Sequence, residues 1–287
     1  MMRGLAEFIM RGRWQALAVS MLGAGTLLFG WVSAAAIALV TLRKGTSEGG
    51  WILLWASLPA VMTFHFSGDS SGIFLLVGAW VLALTLRGTV SLPTTALVCV
   101  GIGGLTGLGM LLFSQSFIDE LVTLLDQFFN QLELNVTTEQ EPLFLRPTAV
   151  QLAGMLAAGN AFLAMVSLLL GRYWQGALYN PGGFGTEFRA LRLPRYWAVG
   201  LALGATWLWS LGPDFRGWAV VLTVPLTFWG LALVHAFARY KQSASGWLVW
   251  FYVLWLVVDV VKLALIVVAI ADAWFDFRAK WSGGKPA

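Results

Sequence analysis

Asp259 and Lys262, in the run VDVVK, stand three residues apart inside an otherwise apolar stretch. On a helix that spacing puts both side chains on one face. Ionisable groups inside a membrane segment are costly and often mark ion or substrate pathways. A structural ion pair, or charges at a turn reaching water, would use the same two residues. His65 and His235 lie near the ends of apolar runs, where an imidazole can act as a proton switch or as an interfacial hydrogen-bonding group. Asn160, in AAGNAF, is a polar residue deep in a run, suited to hydrogen bonding between helices. By type, Asp259, Lys262, Asn160 and His65 are the candidates for an intramembrane polar site. No H-E-x-x-H pair occurs, and Cys99 is the lone cysteine, placed in an apolar stretch as a buried packing residue would be. No catalytic residue, metal ligand or cofactor site is therefore expected, no enzyme activity, and no nucleic-acid partner.

Small residues form a second set. Gly103-x-x-x-Gly107 and Gly200-x-x-x-Gly204 remove bulk once per turn and let helix backbones approach. Ala34-x-x-x-Ala38 offers a similar smooth face, a candidate dock for another membrane protein. The longest basic stretch lacking a membrane-length apolar core runs from Arg172 to Arg195 and carries Arg172, Arg189, Arg192 and Arg195. Within it, Asn180, Pro181, Gly182, Gly183, Phe184 and Gly185 spell a turn, because proline fixes φ and glycine allows positive φ. Thr186 is then placed to cap a short helix, TEFRALRL, with Phe188, Leu191 and Leu193 dipping into the interface and Arg189 and Arg192 in water. The glycines lack the Walker lysine and the full G-x-G-x-x-G frame, so phosphate cradling is not expected.

Composition determines what must hold these residues. Apolar types make up 59% of the 287 residues and charged types 11%, and mean hydropathy is +0.77. Such a chain reads as an integral membrane protein. Its long apolar runs lack period-2 alternation, which favours an all-α, polytopic transmembrane bundle over a barrel. A hydrocarbon core about 30 Å thick takes about 20 helical residues to cross. Apolar segments fall at 14–42, 50–66, 71–88, 92–114, 147–171, 195–212, 217–238 and 247–275, eight in one domain spanning 1–287. Between the fourth and fifth, region 116–146 repeats Phe117, Leu121, Leu125, Phe128 and Leu132 at helical spacing, an amphipathic helix on the membrane surface or capping the bundle. Its Asn135-Val136-Thr137 sequon reads as accidental. Trp14, Trp51, Trp174, Trp197, Trp218, Trp247 and Trp274 sit near segment ends, as interfacial anchors do.

Basic residues near segment ends are retained in the cytoplasm. Arg43, Lys44, Arg87, the 172–195 cluster, Arg239 and Lys241 fall in alternate loops and share one side. Acidic region 116–146 falls on the other, as an extracytoplasmic helix. The opening residues lack a signal-peptide pattern. Both tails are basic too, with Arg3, Arg11 and Arg13 before the first segment and Arg278, Lys280 and Lys285 after the last. If the first and last segments each cross once, both tails are misplaced outside. At 29 residues each, these segments exceed one crossing and fall short of two. A broken or re-entrant hairpin solves this, with Gly23, Gly25 and Gly30 as break points in the first and Asp259 and Lys262 interrupting the last. A tilted single span is the alternative.

The runs LYNPGGFGTEFRALRL (178–193), ALVTLRKG (38–45), LVHAFAR (233–239) and ADAWFDFR (271–278) resemble the YybS-type family of bacterial inner-membrane proteins, a family of unknown function. That family is distantly similar to the substrate-binding components of energy-coupling-factor transporters and to MreD. The resemblance implies a multi-pass protein of the bacterial inner membrane. Its first functional implication is transport: binding a small polar molecule and relying on a separate energising partner, with Ala34 and Ala38 as the docking face. Its alternative is an MreD-like scaffold of the cell envelope. The lipid bilayer is the expected partner in either case.

Overall fold

The computed structural model describes residues 2–26, 28–136, 146–241 and 245–281. Their regular structure is entirely helical: α1 (Met2–Arg11), α2 (Arg13–Ala24), α3 (Gly30–Lys44), α4 (Thr46–Ser67), α5 (Ser71–Thr89), α6 (Leu92–Phe113), α7 (Gln115–Val136), α8 (Ala149–Tyr179), α9 (Gly183–Arg189), α10 (Arg195–Ser210), α11 (Pro213–Tyr240), α12 (Ser245–Val257), α13 (Asp259–Phe275) and α14 (Phe277–Trp281). Helices α4, α5, α6, α8 and α11 are long and apolar enough to cross a membrane, and α12 with α13 makes a sixth candidate if the bent pair is one span. The chain is a helical membrane protein. The eight apolar segments take different forms. Segment 195–212 becomes α10, only 16 residues long, or about 24 Å. The outermost two are broken.

Segment 14–42 folds into the antiparallel pair α2 and α3. Arg13, at the start of α2, forms an ion pair with Glu48 just beyond the end of α3, and Ser33 Oγ donates to the Ser20 carbonyl across the pair at 2.6 Å. Within the described part of the turn Gly25 N–H reaches Met21 O, Thr26 N–H reaches Gly23 O, and Val32 and Ser33 N–H both reach Phe29 O. That local pairing is what a turn at membrane depth requires. Gly23 lies where the helices meet, since a Cβ there would sit 2.9 Å from the Phe29 carbonyl and 3.0 Å from Ser33 Cβ. Segment 247–275 breaks at Val258 with a bend of 111° between α12 and α13. Both its ends return to one place, because Phe237 of α11 contacts Trp247 at the start of α12 and Trp281 of α14.

α3 is the centre of the bundle. Every residue from Ser33 to Leu42 is buried, with α2, α4, α5 and α8 around it. Against α8 the approach is backbone to backbone, and a Cβ on Gly171 would lie 2.8 Å from Ala35 O and 3.0 Å from Leu39 N. Ala34 and Ala38 are thus fully buried inside the chain. The expected partner dock on these two residues is corrected: their smooth face is already filled, because it lets α8 close on α3. Gly103 and Gly107 form a second seam, against Val221 and Ala161 and against Trp218 and Ala157 respectively, whereas a Cβ on Gly200 meets nothing within 4 Å. Cys99 is buried between α6 and α8, its Sγ donating to Ala161 O at 3.1 Å. Trp174 departs from the interfacial expectation by being buried in the core.

Charge divides the bundle into two ends. One gathers Arg43, Lys44, Arg87, Arg172, Arg189, Arg192, Arg195, Arg239, Lys241, Arg278 and Lys280, in the C-terminal parts of α3, α5, α8 and α11, at the end of α9 and just after it, at the start of α10 and on α14. At the opposite end α7 leans on the bundle through Phe117, Ile118, Leu121, Val122 and Leu125, which pack with Met110, Leu152 and Trp218. Phe128, expected on that packed face, is exposed instead, as is Leu124. Arg146 ties α7 down, donating to the Asp126 carbonyl at 3.0 Å and to Glu133 Oε2 at 2.7 Å. Glu139, Glu141, Thr137 of the sequon and Lys285 lie outside the described residues.

Candidate functional site at the basic end

The four runs that carry the family resemblance converge at the basic end. Arg43, from ALVTLRKG, stacks over the Tyr179 ring at 4.0 Å, and Arg87 donates to Leu42 O at 2.7 Å. His235, from LVHAFAR, meets the Phe188 ring of α9 edge-on at 5.6 Å and shares a 2.8 Å hydrogen bond with the Tyr252 hydroxyl. The closest junction joins ADAWFDFR to FRALRL and is centred on Asp272.

Asp272 is fully buried yet saturated with donors. Trp229 Nε1 reaches its Oδ2 at 3.2 Å, the Phe277 N–H reaches Oδ1 at 2.9 Å, and Arg278 Nη1 reaches Oδ2 at 3.2 Å. Two further arginine contacts close the cluster on backbone oxygens: Arg192 Nη2 donates to the Asp272 carbonyl at 2.7 Å, and Arg278 Nη2 to the Leu191 carbonyl at 3.0 Å. Arg278 supplies a donor to the Leu191 carbonyl in the stretch after α9, and the Asp272 carbonyl, which also accepts from the Asp276 N–H at 3.2 Å, gains a second donor in Arg192. Arg192 Nη1 also pairs with Asp276 at 2.9 Å. The buried carboxylate thus joins the end of α13 to α14 and α11, while Arg192, on the Asp272 carbonyl and the Asp276 carboxylate, and Arg278, on Leu191 O, fasten the loop after α9 to the same place.

The electrostatics follow from burial. Removal from water lowers the pKa of Arg278, Asp272 opposes that shift, and nearby Arg192 adds to it. Starting so far above neutrality, the guanidinium stays charged. The hydrogen bond from Arg192 holds the Asp276 carboxyl below its usual value, with partial burial acting against it and the Ala279 N–H acting with it. A depressed carboxylate stabilises the fold above its unfolded pKa, and that contribution is lost as pH falls through the folded value. Comparing wild type with Asp276→Asn isolates it, since asparagine also tolerates the left-handed backbone here, φ 43°. The difference in Tm between the two proteins is expected to be present at pH 7, to begin to shrink below about pH 4, and to vanish only once the pH is below the depressed folded value.

The glycine turn forms as expected, but the helix after it starts and ends earlier. Gly182 adopts φ +87° and α9 starts immediately after it, at Gly183. Thr186 is therefore inside the helix rather than capping it, and the helix ends at Arg189, before Leu193. Phe184 joins the wall of aromatic rings by stacking on Phe188. Gly185 packs close to Arg189, and a side chain on Gly183 would strike the Asn180 amide, while Asn180 and Pro181 are exposed. Leu191 and Leu193 are buried in the protein, not dipped into the interface, and Arg192 turns inward because Asp272 and Asp276 draw it there. Arg172 pairs with Glu187 at 2.6 Å. Arg195 is exposed, and Arg189 is partly so.

The four intramembrane polar candidates are not brought together. Asn160 Nδ2 donates to Ser71 O at 2.7 Å, an interhelical bond between α8 and α5. His65 lies in the last turn of α4, its ring edge-on to Phe66 at 5.3 Å. Asp259 and Lys262 pair with each other at 2.8 Å on the outer surface of the bundle. A groove of about 280 Å³ does open between α11, α12, α13 and α14, but apolar and aromatic side chains line it, among them Leu233, Phe237, Trp247, Leu265 and Trp281. Sequence reasoning missed Asp272, Trp229 and Arg278 as a site. The available signal was the carboxylate in IVVAIADAWF, deep enough in an apolar run to need a buried partner.

No family model, curated protein or solved structure matches this chain.

Proposed function

We propose that this chain is a multi-pass scaffold or assembly protein of the bacterial inner membrane, with the basic end in the cytoplasm and α7 outside. The family resemblance supplies the membrane, and retention of Lys and Arg in the cytoplasm supplies the orientation. The observation that carries the scaffold reading is the Asp272 cluster. It makes the 172–195 loop and the C-terminal helix one rigid unit, from which Arg189 and Arg195 face outward, a surface suited to an acidic partner. Transport of a small polar molecule, the other reading, would need a pocket with convergent polar groups. Here Asn160, His65, Asp259 and Lys262 are dispersed, which weighs against it.

The test is purification in mild detergent from native membranes at endogenous expression, with mass spectrometry of co-purifying proteins and retained small molecules. Stoichiometric membrane or envelope-assembly proteins are expected, and they should be lost in Arg189→Glu/Arg195→Glu at unchanged protein level. A stoichiometric polar metabolite, or an ATPase complex that survives the charge reversal, would overturn the scaffold reading in favour of transport.

A further inference from the structure

The Asp259–Lys262 pair has a depth that its surroundings define. Trp255 of α12 stacks on Phe162, and Phe162 stacks on Phe228. Both phenylalanines lie within two residues of the midpoints of the longest helices, α8 and α11. Leu265 of α13 packs directly on Gly230 of α11. The elbow at Val258 therefore sits near the middle of the bundle, at the level of the hydrocarbon core. There the Asp259 side chain is 92% exposed and Lys262 is 42% exposed. Around them Leu256, Val257, Val260 and Leu263 face outward as well.

An ion pair on the outer face of a bundle at that depth is costly if lipid covers it. Lys262 does not reach toward either membrane surface, as a lipid-facing lysine would, because it is held by Asp259. The surface contains its own complement: an acid and a base three residues apart on one helix can meet a copy of themselves, acid to base and base to acid, across a two-fold axis.

We propose that the elbow of α12 and α13 is the contact of a homodimer within the membrane, in which Asp259 and Lys262 of one copy pair with Lys262 and Asp259 of a second copy. The apolar rim would exclude lipid from the four charges. This requires only that the helices cross a bilayer, so it stands apart from the scaffold reading.

Cross-linking in native membranes tests it, in a Cys99→Ala background. Oxidation of Val260→Cys is expected to give a disulfide-linked dimer at least fivefold above Leu105→Cys, a similarly exposed position near the middle of α6. Asp259→Lys alone and Lys262→Asp alone should each bring the Val260→Cys signal to the Leu105→Cys level. Co-expressing those two variants with different tags should restore a mixed dimer, because one copy then presents two positive charges and the other two negative ones. An ion pair serving only within one chain is broken in both variants and could not be rescued that way. Equal cross-linking at Val260 and Leu105, failure of the mixed dimer with both variants present in the membrane, or capture of a different protein at Val260 would each overturn the proposal. Should either reversal fail to accumulate, the neutral pair Asp259→Asn/Lys262→Met serves: an unchanged Val260→Cys dimer would overturn it, and loss of the dimer would support it.

Discussion

Asp272→Ala is expected to cost about 3–5 kcal/mol, because removing one partner of a buried ion pair leaves the other charge uncompensated. The Trp229 N–H and the Phe277 N–H would also lose their acceptor. In detergent this should appear as a fall in Tm of the order of 10 °C, with a matching fall in the amount of protein in the membrane. Two further variants separate charge from shape. Asp272→Asn keeps one acceptor oxygen, enough for the Phe277 N–H or the Trp229 N–H but not both, and strands Arg278, so most of the loss should remain. Asp272→Asn/Arg278→Leu removes both charges and should recover much of it, since neutral groups of similar volume often replace a buried pair at little cost. A loss below about 1 kcal/mol in Asp272→Ala, the lower range for a hydrogen bond, would show that the cluster does not fasten the loop to the tail.

The second large effect is expected at Gly217. A Cβ there would lie 2.5 Å from the Met155 nitrogen, 2.7 Å from the Gly154 carbonyl carbon and 2.8 Å from the Gln151 carbonyl oxygen. These are backbone atoms of α8, which cannot rotate away as a side chain can. Gly217→Ala should therefore destabilise by about 3 kcal/mol, the upper part of the usual range for overpacking. Gly200→Ala provides the comparison, because nothing stands within 4 Å of its Cβ. It should be neutral or gain up to about 1 kcal/mol from the better helix former. Thermal unfolding of both variants in one detergent measures the difference directly. If Gly200→Ala proved the more damaging, the α8–α11 contact would not be as close as described.

These two glycines show how far small-residue motifs can be read. Gly200-x-x-x-Gly204 has the spacing, yet Gly200 faces open space; Gly217 has no motif partner, yet sits against another backbone. Spacing tells which residues share a helix face but not what that face meets. The same limit governs Ala34 and Ala38: their spacing suggested a dock for another membrane protein, whereas both are buried within the chain, Ala38 against Gly171 of α8. Helical class and the basic end were legible, because hydropathy and charge bias are local properties; segment length singled out the first and last segments but left a broken hairpin and a tilted span both open. Asp272 was not legible, because Arg192 and Trp229 are 80 and 43 positions away in the sequence. The pair that was legible, Asp259 and Lys262, owes that to a local spacing of three.

Burial of α3 has a consequence for how the chain is made. At 15 residues the helix is about 22 Å long, short of a hydrocarbon core of about 30 Å, and the face carrying Ala35 and Ala38 is completed by Gly171. Ala38 and Gly171 are 133 residues apart in the chain. At about 5–20 residues per second, a ribosome takes roughly 7–27 s to deliver the second after the first. During that interval α4 and α5 can pack on the α2–α3 hairpin, but the face of α3 that α8 covers in the finished protein stays open. A membrane insertase that shelters incomplete segments therefore has its window of action before α8 emerges, and a pause in translation upstream of α8 would lengthen it.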